Sequence, residues 1–211
     1  NSTDEAVELS QYAEKAGSDA LLVVTPYYNK PTQEGLYQHY KKINDSVSIP
    51  IIIYNIPSRS VIDMSVETMS KLYELKNITG VKDATGDLNR VDKQLKAMGK
   101  DFIQLTGNDD NALEFNKRGG VGAIGVTANI AAKISSDFQK ACEQKNDEAE
   151  SLDKLLQPLH SALFIESNPS PVKYAASLLG MCNPSVRLPL VEIREETKKK
   201  VSEALKVAKL L

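Results

Sequence analysis

The sequence predicts an α/β fold: a parallel sheet with helices outside it. Three observations carry this reading: short apolar runs, amphipathic stretches between them, and brief links that leave room only for strand–helix alternation. The runs are Leu21-Leu22-Val23-Val24, Ile51-Ile52-Ile53-Tyr54, Ile78-Thr79-Gly80-Val81-Lys82, Phe102-Ile103-Gln104-Leu105 and Gly122-Ala123-Ile124-Gly125-Val126. The first two are unbroken hydrophobic blocks, the pattern of strands buried on both faces.

The helical stretches have recognisable ends. Residues 4–16 open with Thr3 or Asp4 as N-cap and close at Gly17. Residues 32–46 open on Thr32-Gln33-Glu34, and residues 65–75 on Ser65 and Glu67. Residues 88–98 follow Asp87, residues 109–117 end before Gly119-Gly120, and residues 130–145 follow Asn129. Two architectures fit this order, an open doubly wound sheet and a (β/α)8 barrel. Five strands are too few to close an eight-stranded barrel, and the first helix has no strand before it. After about residue 146 no further strand is expected. Residues 147–163, 169–180 and 192–209 read as helices, with Pro169, Pro171, Pro184 and Pro189 at the breaks. The expected division is therefore 1–145 for the sheet region and 146–211 for a helical appendage.

The 211 residues are 41% hydrophobic with a net charge of −2, enough for a substantial core. No basic bias of the kind that marks nucleic-acid binding is present. No run reaches the roughly 18 apolar residues of a membrane span, and no signal-peptide pattern opens the chain. Cys142 and Cys182 lack metal-ligand spacing and read as reduced thiols, which points to the cytoplasm. Gly120-x-Gly122-x-x-Gly125 matches a dinucleotide fingerprint by letters, yet it enters a strand where that motif should leave one. Asp109-Asp110 sits where a helix begins and reads as capping. His39 and His160 stand in separate helices with no acid or nucleophile beside them and read as structural.

Three residues could carry chemistry. Lys82 ends an apolar strand, and a lysine facing a dry interior has its ammonium form destabilised, which frees the amine to attack a ketone. By spacing alone, a lysine that snorkels to water is the commoner case. Tyr54 ends the preceding strand, so both would meet at the carboxyl edge of the sheet, where ligands bind in either architecture. A phenol beside an amine can relay protons through carbinolamine formation and dehydration. Arg59, five residues beyond Tyr54, could grip a carboxylate in bidentate fashion.

Three stretches in register then resemble one family. Thr25-Pro26-Tyr27-Tyr28-Asn29-Lys30-Pro31 with Gln33-Glu34-Gly35, Tyr54-Asn55-Ile56-Pro57-Ser58-Arg59, and Gly80-Val81-Lys82-Asp83-Ala84-Thr85-Gly86-Asp87 are similar to hallmark motifs of the dihydrodipicolinate synthases. Gly119-Gly120-Val121-Gly122-Ala123-Ile124 with Val126-Thr127-Ala128-Asn129 resembles the family's last barrel strand.

The resemblance implies a (β/α)8 TIM barrel lacking its first three strands in this chain, plus a C-terminal helical appendage. The strands present would be barrel strands four to eight. It implies a lyase that condenses pyruvate with aspartate 4-semialdehyde in lysine and diaminopimelate biosynthesis, with no metal or organic cofactor. Lys82 would form the Schiff base, Tyr54 would shuttle protons, and Tyr28 would cross a tight dimer interface. Arg59 would position carboxylate, and Gly107 and Ile124 would line the pyruvate pocket. Asn1, Glu5 and Tyr27 match positions that bind feedback lysine in some members. A homotetramer built from two tight dimers is expected. The family's threonine relay motif, Gly-Thr-Thr-Gly-Glu-like, does not occur here, and without it the relay would be broken. Ser60-Val61, Asn108 and Gly125 depart from the common pattern and touch the subtype more than the reaction. N-acetylneuraminate lyase is the nearest alternative, but it generally lacks an arginine at the position of Arg59. A non-catalytic barrel scaffold is the alternative of a different class.

Overall fold

A computed structural model describes residues 1–211. The chain forms two compact units, Asn1–Ile124 and Gly125–Leu211. In the first, the order is α1 (Thr3–Lys15), β1 (Leu21–Val24), α2 (Gln33–Asn44), β2 (Ile51–Asn55), α3 (Pro57–Ser60), α4 (Val66–Tyr73), β3 (Ile78–Asp83), α5 (Asn89–Met98), β4 (Ile103–Thr106), a 3-10 turn (Asp109–Asn111), α6 (Ala112–Lys117) and β5 (Gly122–Ala123).

The sheet order is β1-β2-β3-β4-β5, and every neighbouring pair is parallel. A doubly wound sheet reverses its winding at a switch point, which places an early strand between later ones. Here each strand is laid beside the one before it. That constant winding is the strand path of a barrel and gives a TIM-barrel-like fold. Of the two architectures left open by strand spacing, the doubly wound one is ruled out.

The core lies between the sheet and its helices. Ile51 and Ile53 of β2 cluster with Leu36, Tyr40 and Ile43 of α2 and with Met69 and Leu72 of α4. Fully burying each such side chain is worth about 1.5–3 kcal/mol. The other sheet face is less covered, with Leu22 45% and Val24 37% exposed. The expectation of strands buried on both faces is corrected here. An inward barrel face is covered by strands across the barrel, and five adjacent strands supply only part of that cover.

Local sequence explains several boundaries. Ser2 caps α1 by accepting from the Glu5 amide at 3.4 Å, one residue before the expected Thr3 or Asp4. Asp4 and Glu5 then sit in the first turn, where their charge suits the helix dipole. Thr32 and Ser65 cap α2 and α4 in the same manner. The one-turn α3 was not expected. Pro57 starts it, and Val61 ends it in a left-handed conformation at φ 68°. The last strand is shorter than the expected 122–126, covering Gly122–Ala123 alone.

The second unit contains a 3-10 turn (Thr127–Asn129), α7 (Ala132–Glu143), α8 (Glu148–Ala162), α9 (Ser170–Leu178) and α10 (Glu195–Val207). It has no strand, and Phe138, Leu156, Leu159, Val201 and Leu205 are buried. Compactness therefore places α7 with the later helices, whereas the end of strand–helix alternation falls at 145/146. The first criterion follows packing and the second follows chain pattern.

Candidate active site

β2 and β3 position the two central residues. Tyr54 and Lys82 are register partners at the carboxyl ends of these strands, so their side chains emerge side by side on one sheet face. Lys82 Nζ lies over the Tyr54 ring, 3.9 Å from its centroid. Lys82 is only 9% exposed. Burial pushes its amine below the usual 10.5, and the nearby Asp109 charge opposes that shift. Burial also raises the Tyr54 phenol above its ordinary value, with the Arg59 charge opposing. The pair is thus poised with the amine biased toward its neutral form and the phenol holding its proton.

Gly107 is what lets the lysine lie there. It follows β4, and its amide donates to the Asp83 carbonyl at 2.7 Å. A Cβ at this position would come within 3.2 Å of Lys82 Cε and 2.6 Å of Ala84 Cβ. A side chain here would clash with Ala84 and press on the end of the lysine's methylene chain. Ile124, one residue past β5, is tied to the sheet by its amide donating to Thr106 O at 2.9 Å, and its side chain is 37% exposed. Arg59 is exposed on α3, near enough to Tyr54 for its charge to act on the phenol.

Tyr28 stands apart. It lies in the loop after β1 with φ 71° and is 86% exposed. A bulky residue in the left-handed region and in solvent is uncommon. Asn1, Glu5 and Tyr27 do share a feature, an open depression of about 520 Å³ that Leu22, Val24 and His39 also line. His39 and His160 are buried and paired with threonines, Thr3 Oγ1 at 2.9 Å and Thr127 Oγ1 at 2.7 Å from their Nδ1 atoms.

Of two groups beside Lys82, the sequence marks Asp109 as a cap and does not single out Asp83. Asp109 lies inside the 3-10 turn where a cap was expected, and it acts electrostatically on Lys82. Asp83 follows Lys82 and faces the other way, into a buried polar cluster. Strand alternation places residue 83 opposite residue 82, but nothing in the sequence announces its side-chain partners, which are Thr85 in the turn after β3 and Arg90 and Gln94 of α5.

The dihydrodipicolinate synthetase family profile matches residues 1–208. The chain belongs to that family. Within it, the 4-hydroxy-tetrahydrodipicolinate synthase of Pelagibacter ubique is 70% identical over 215 aligned residues, covering 100% of this chain and 73% of the relative. The Bradyrhizobium diazoefficiens enzyme of the same name is 59% identical, covering 100% of this chain and 72% of that one. Among solved structures of the family, the chloride-inhibited dihydrodipicolinate synthase of Acinetobacter baumannii complexed with pyruvate superposes with a TM-score of 0.96. It is 44% identical and is matched over 100% of this chain and 72% of its own. No helix here is long and apolar enough to cross a membrane.

Proposed function

We propose that this chain is a 4-hydroxy-tetrahydrodipicolinate synthase that condenses pyruvate with aspartate 4-semialdehyde through a Schiff base on Lys82. The observation that carries the assignment is the buried Lys82 amine stacked at 3.9 Å on Tyr54. The synthase names of relatives up to 70% identical support the same reaction. Arg59 and those names favour the synthase over N-acetylneuraminate lyase.

The neutral amine adds to the ketone carbon of pyruvate, giving a carbinolamine. Loss of its hydroxyl as water, with one proton supplied, gives the iminium. The positive nitrogen draws electrons from the methyl group, which loses a proton to form an enamine. The enamine carbon attacks the aldehyde, which restores the iminium, and the new alkoxide takes up a proton. The amino group of the added aspartate 4-semialdehyde then attacks the iminium carbon, and the Lys82 nitrogen leaves as the free amine. Tyr54 handles protons at the amine. Because Nζ lies over the ring face, exchange with the hydroxyl needs a rotation of the flexible lysine chain or a bridging water. Arg59 receives the carboxylate of the incoming substrate, and Gly107 with Ile124 bounds the pyruvate end.

The five strands are read as an arc of an eight-stranded barrel, as strands four to eight, with 146–211 as its helical appendage. The exposed Leu22 and Val24 support further strands on the inward side. Tyr28, exposed and strained, fits a residue that enters a partner's site across a tight dimer, and two such dimers make the tetramer. The depression around Asn1, Glu5 and Tyr27 is the place where free lysine would act. A cytoplasmic location suits this biosynthetic role.

Incubation with pyruvate and borohydride tests the chemistry. One reduced pyruvate per chain, mapped to Lys82, is the expected result. No gain in mass favours a non-catalytic scaffold, and an adduct on another lysine refutes the assignment. Turnover of aspartate 4-semialdehyde and not of sialic acid separates the two lyases.

A further inference from the structure

We propose that the polar cluster behind β2 and β3 is a positioning device, which locks the two strand ends together and so sets where Lys82 lies against Tyr54. This rests on Lys82 being the reacting amine. Along each strand, alternate residues face opposite sides. Tyr54 and Lys82 face the site, and the next residues, Asn55 and Asp83, face the helices. Asn55 and Asp83 are themselves register partners, 0% and 5% exposed.

The cluster joins these two residues by a continuous set of bonds. Asp83 Oδ1 accepts from the Thr85 amide at 2.9 Å and the Thr85 hydroxyl at 2.6 Å. Its Oδ2 accepts from Arg90 Nε at 2.9 Å and Gln94 Nε2 at 3.1 Å. The same guanidinium donates through Nη1 to Asp63 Oδ2 at 3.1 Å and through Nη2 to the Met64 carbonyl at 2.8 Å. Asp63 Oδ1 then accepts from Asn55 Nδ2 at 2.7 Å, and Asn55 Oδ1 accepts from the Met64 amide at 3.1 Å. The circuit leaves β2 at Asn55, passes through Asp63 and Arg90, and returns to β3 at Asp83.

Such a cluster does more for geometry than for stability. A buried ion pair adds little over apolar packing of the same volume, because desolvation offsets the attraction. What ions and hydrogen bonds add is direction. A planar guanidinium, fixed at three of its nitrogens, holds its acceptors at set angles. With the back faces fixed, the strands cannot slide, and a slide would carry Lys82 off the Tyr54 ring. Asn55, Asp63, Asp83 and Arg90 touch neither the amine nor the ring, so their effect passes through the backbone.

Two variants test this. Arg90→Lys keeps the charge and loses the fork. Asp63→Asn removes one charge at the half-exposed end, where the Asp63 side chain is 49% accessible. The first readout is the titration of Lys82, followed by 13C NMR of its ε-carbon and assigned by its loss in Lys82→Arg. The ionisable groups acting on that amine are Tyr54 of β2 and Asp109 of the 3-10 turn. The second readout is the rate of borohydride trapping against pyruvate concentration. Both variants should move the Lys82 midpoint up toward an ordinary lysine. Trapping at saturating pyruvate should slow, by about ten- to a hundredfold in Arg90→Lys, with little change in the half-saturating concentration. Variants that only melt earlier, with the wild-type midpoint and the wild-type rate per folded molecule, overturn the proposal. If Arg90→Lys does not fold, Asp63→Asn decides by the same two outcomes. A wild-type chain that takes no pyruvate on Lys82 overturns the lyase reading instead, and the ε-carbon titration alone then judges the cluster.

Discussion

Gly107→Ala puts a methyl group into space that two neighbours already occupy. The new Cβ would stand 2.6 Å from Ala84 Cβ and 3.2 Å from Lys82 Cε. Carbon pairs settle near 3.5–4.0 Å, so the first contact is short by about 1 Å and the second by about half as much. Ala84 Cβ cannot swing aside, because it moves only with its backbone, and that backbone is held by the Ala84 amide donating to Asn55 O at 2.9 Å. Residue 107 is itself tied to Asp83 O at 2.7 Å. The displacement therefore falls on the end of β4 and on the lysine methylenes. Overpacking of this kind costs about 1–3 kcal/mol of stability. Moving a reacting atom by about 1 Å costs on the order of a hundredfold in rate. Urea denaturation reads the first effect, and borohydride trapping with pyruvate reads the second. A variant with the wild-type urea midpoint and the wild-type trapping rate would refute the tight packing of Gly107 on Lys82.

Lys82→Met should raise the urea midpoint near neutral pH. Burial lowers the folded-state pKa of Lys82 below 10.5, so between that lowered value and 10.5 the unfolded chain binds more protons, and the lysine's penalty fades as pH rises. The gain from methionine should shrink toward pH 10.5, and a gain that is absent or independent of pH contradicts a buried amine. His39 gives a second window, since burial takes its pKa from 6.5 to about 4. As pH falls from 6.5 to about 4 the unfolded chain takes up a proton that the folded chain refuses, so stability drops across that range. His39→Asn should flatten this part of the stability–pH curve, and an unchanged slope tells against the buried imidazole.

The sequence made the sheet legible because its strands are short apolar runs set between amphipathic stretches. Ser65 and Thr32 were readable as caps, since their side chains do what a helix start requires. The winding of the sheet was not readable. Strand spacing is the same in a barrel and in a doubly wound sheet, and only the pairing of β1 with β2, β2 with β3 and so on separates them. The one-turn α3 was missed because four residues carry no helical period. Lys82 and Tyr54 were visible as polar residues ending apolar strands. Arg90 and Gln94 were not, because on α5 they look like any solvated polar residues, yet they are 8% and 0% exposed. A buried charge is recognised by its partner, and the partners here lie in other elements.

The surroundings of Lys82 pull its proton in opposite directions, and on the proposed reaction that opposition is useful. Burial favours the neutral amine that attacks the ketone. The Asp109 charge and the face of the Tyr54 ring favour a cation. In the free enzyme burial prevails, and the amine is lowered. Once the imine forms and is protonated, the positive charge at nitrogen is covalently required, and the same carboxylate and ring then stabilise it. A site built only to lower the amine's pKa, by burial alone or by a second cation, would resist the iminium as strongly as the ammonium. Asp109→Asn separates the two demands. It should lower the Lys82 midpoint further, which by itself would speed attack at neutral pH, yet slow the steps that pass through the iminium. A variant that gained in both attack and turnover would mean that Asp109 serves only to hold the resting lysine protonated.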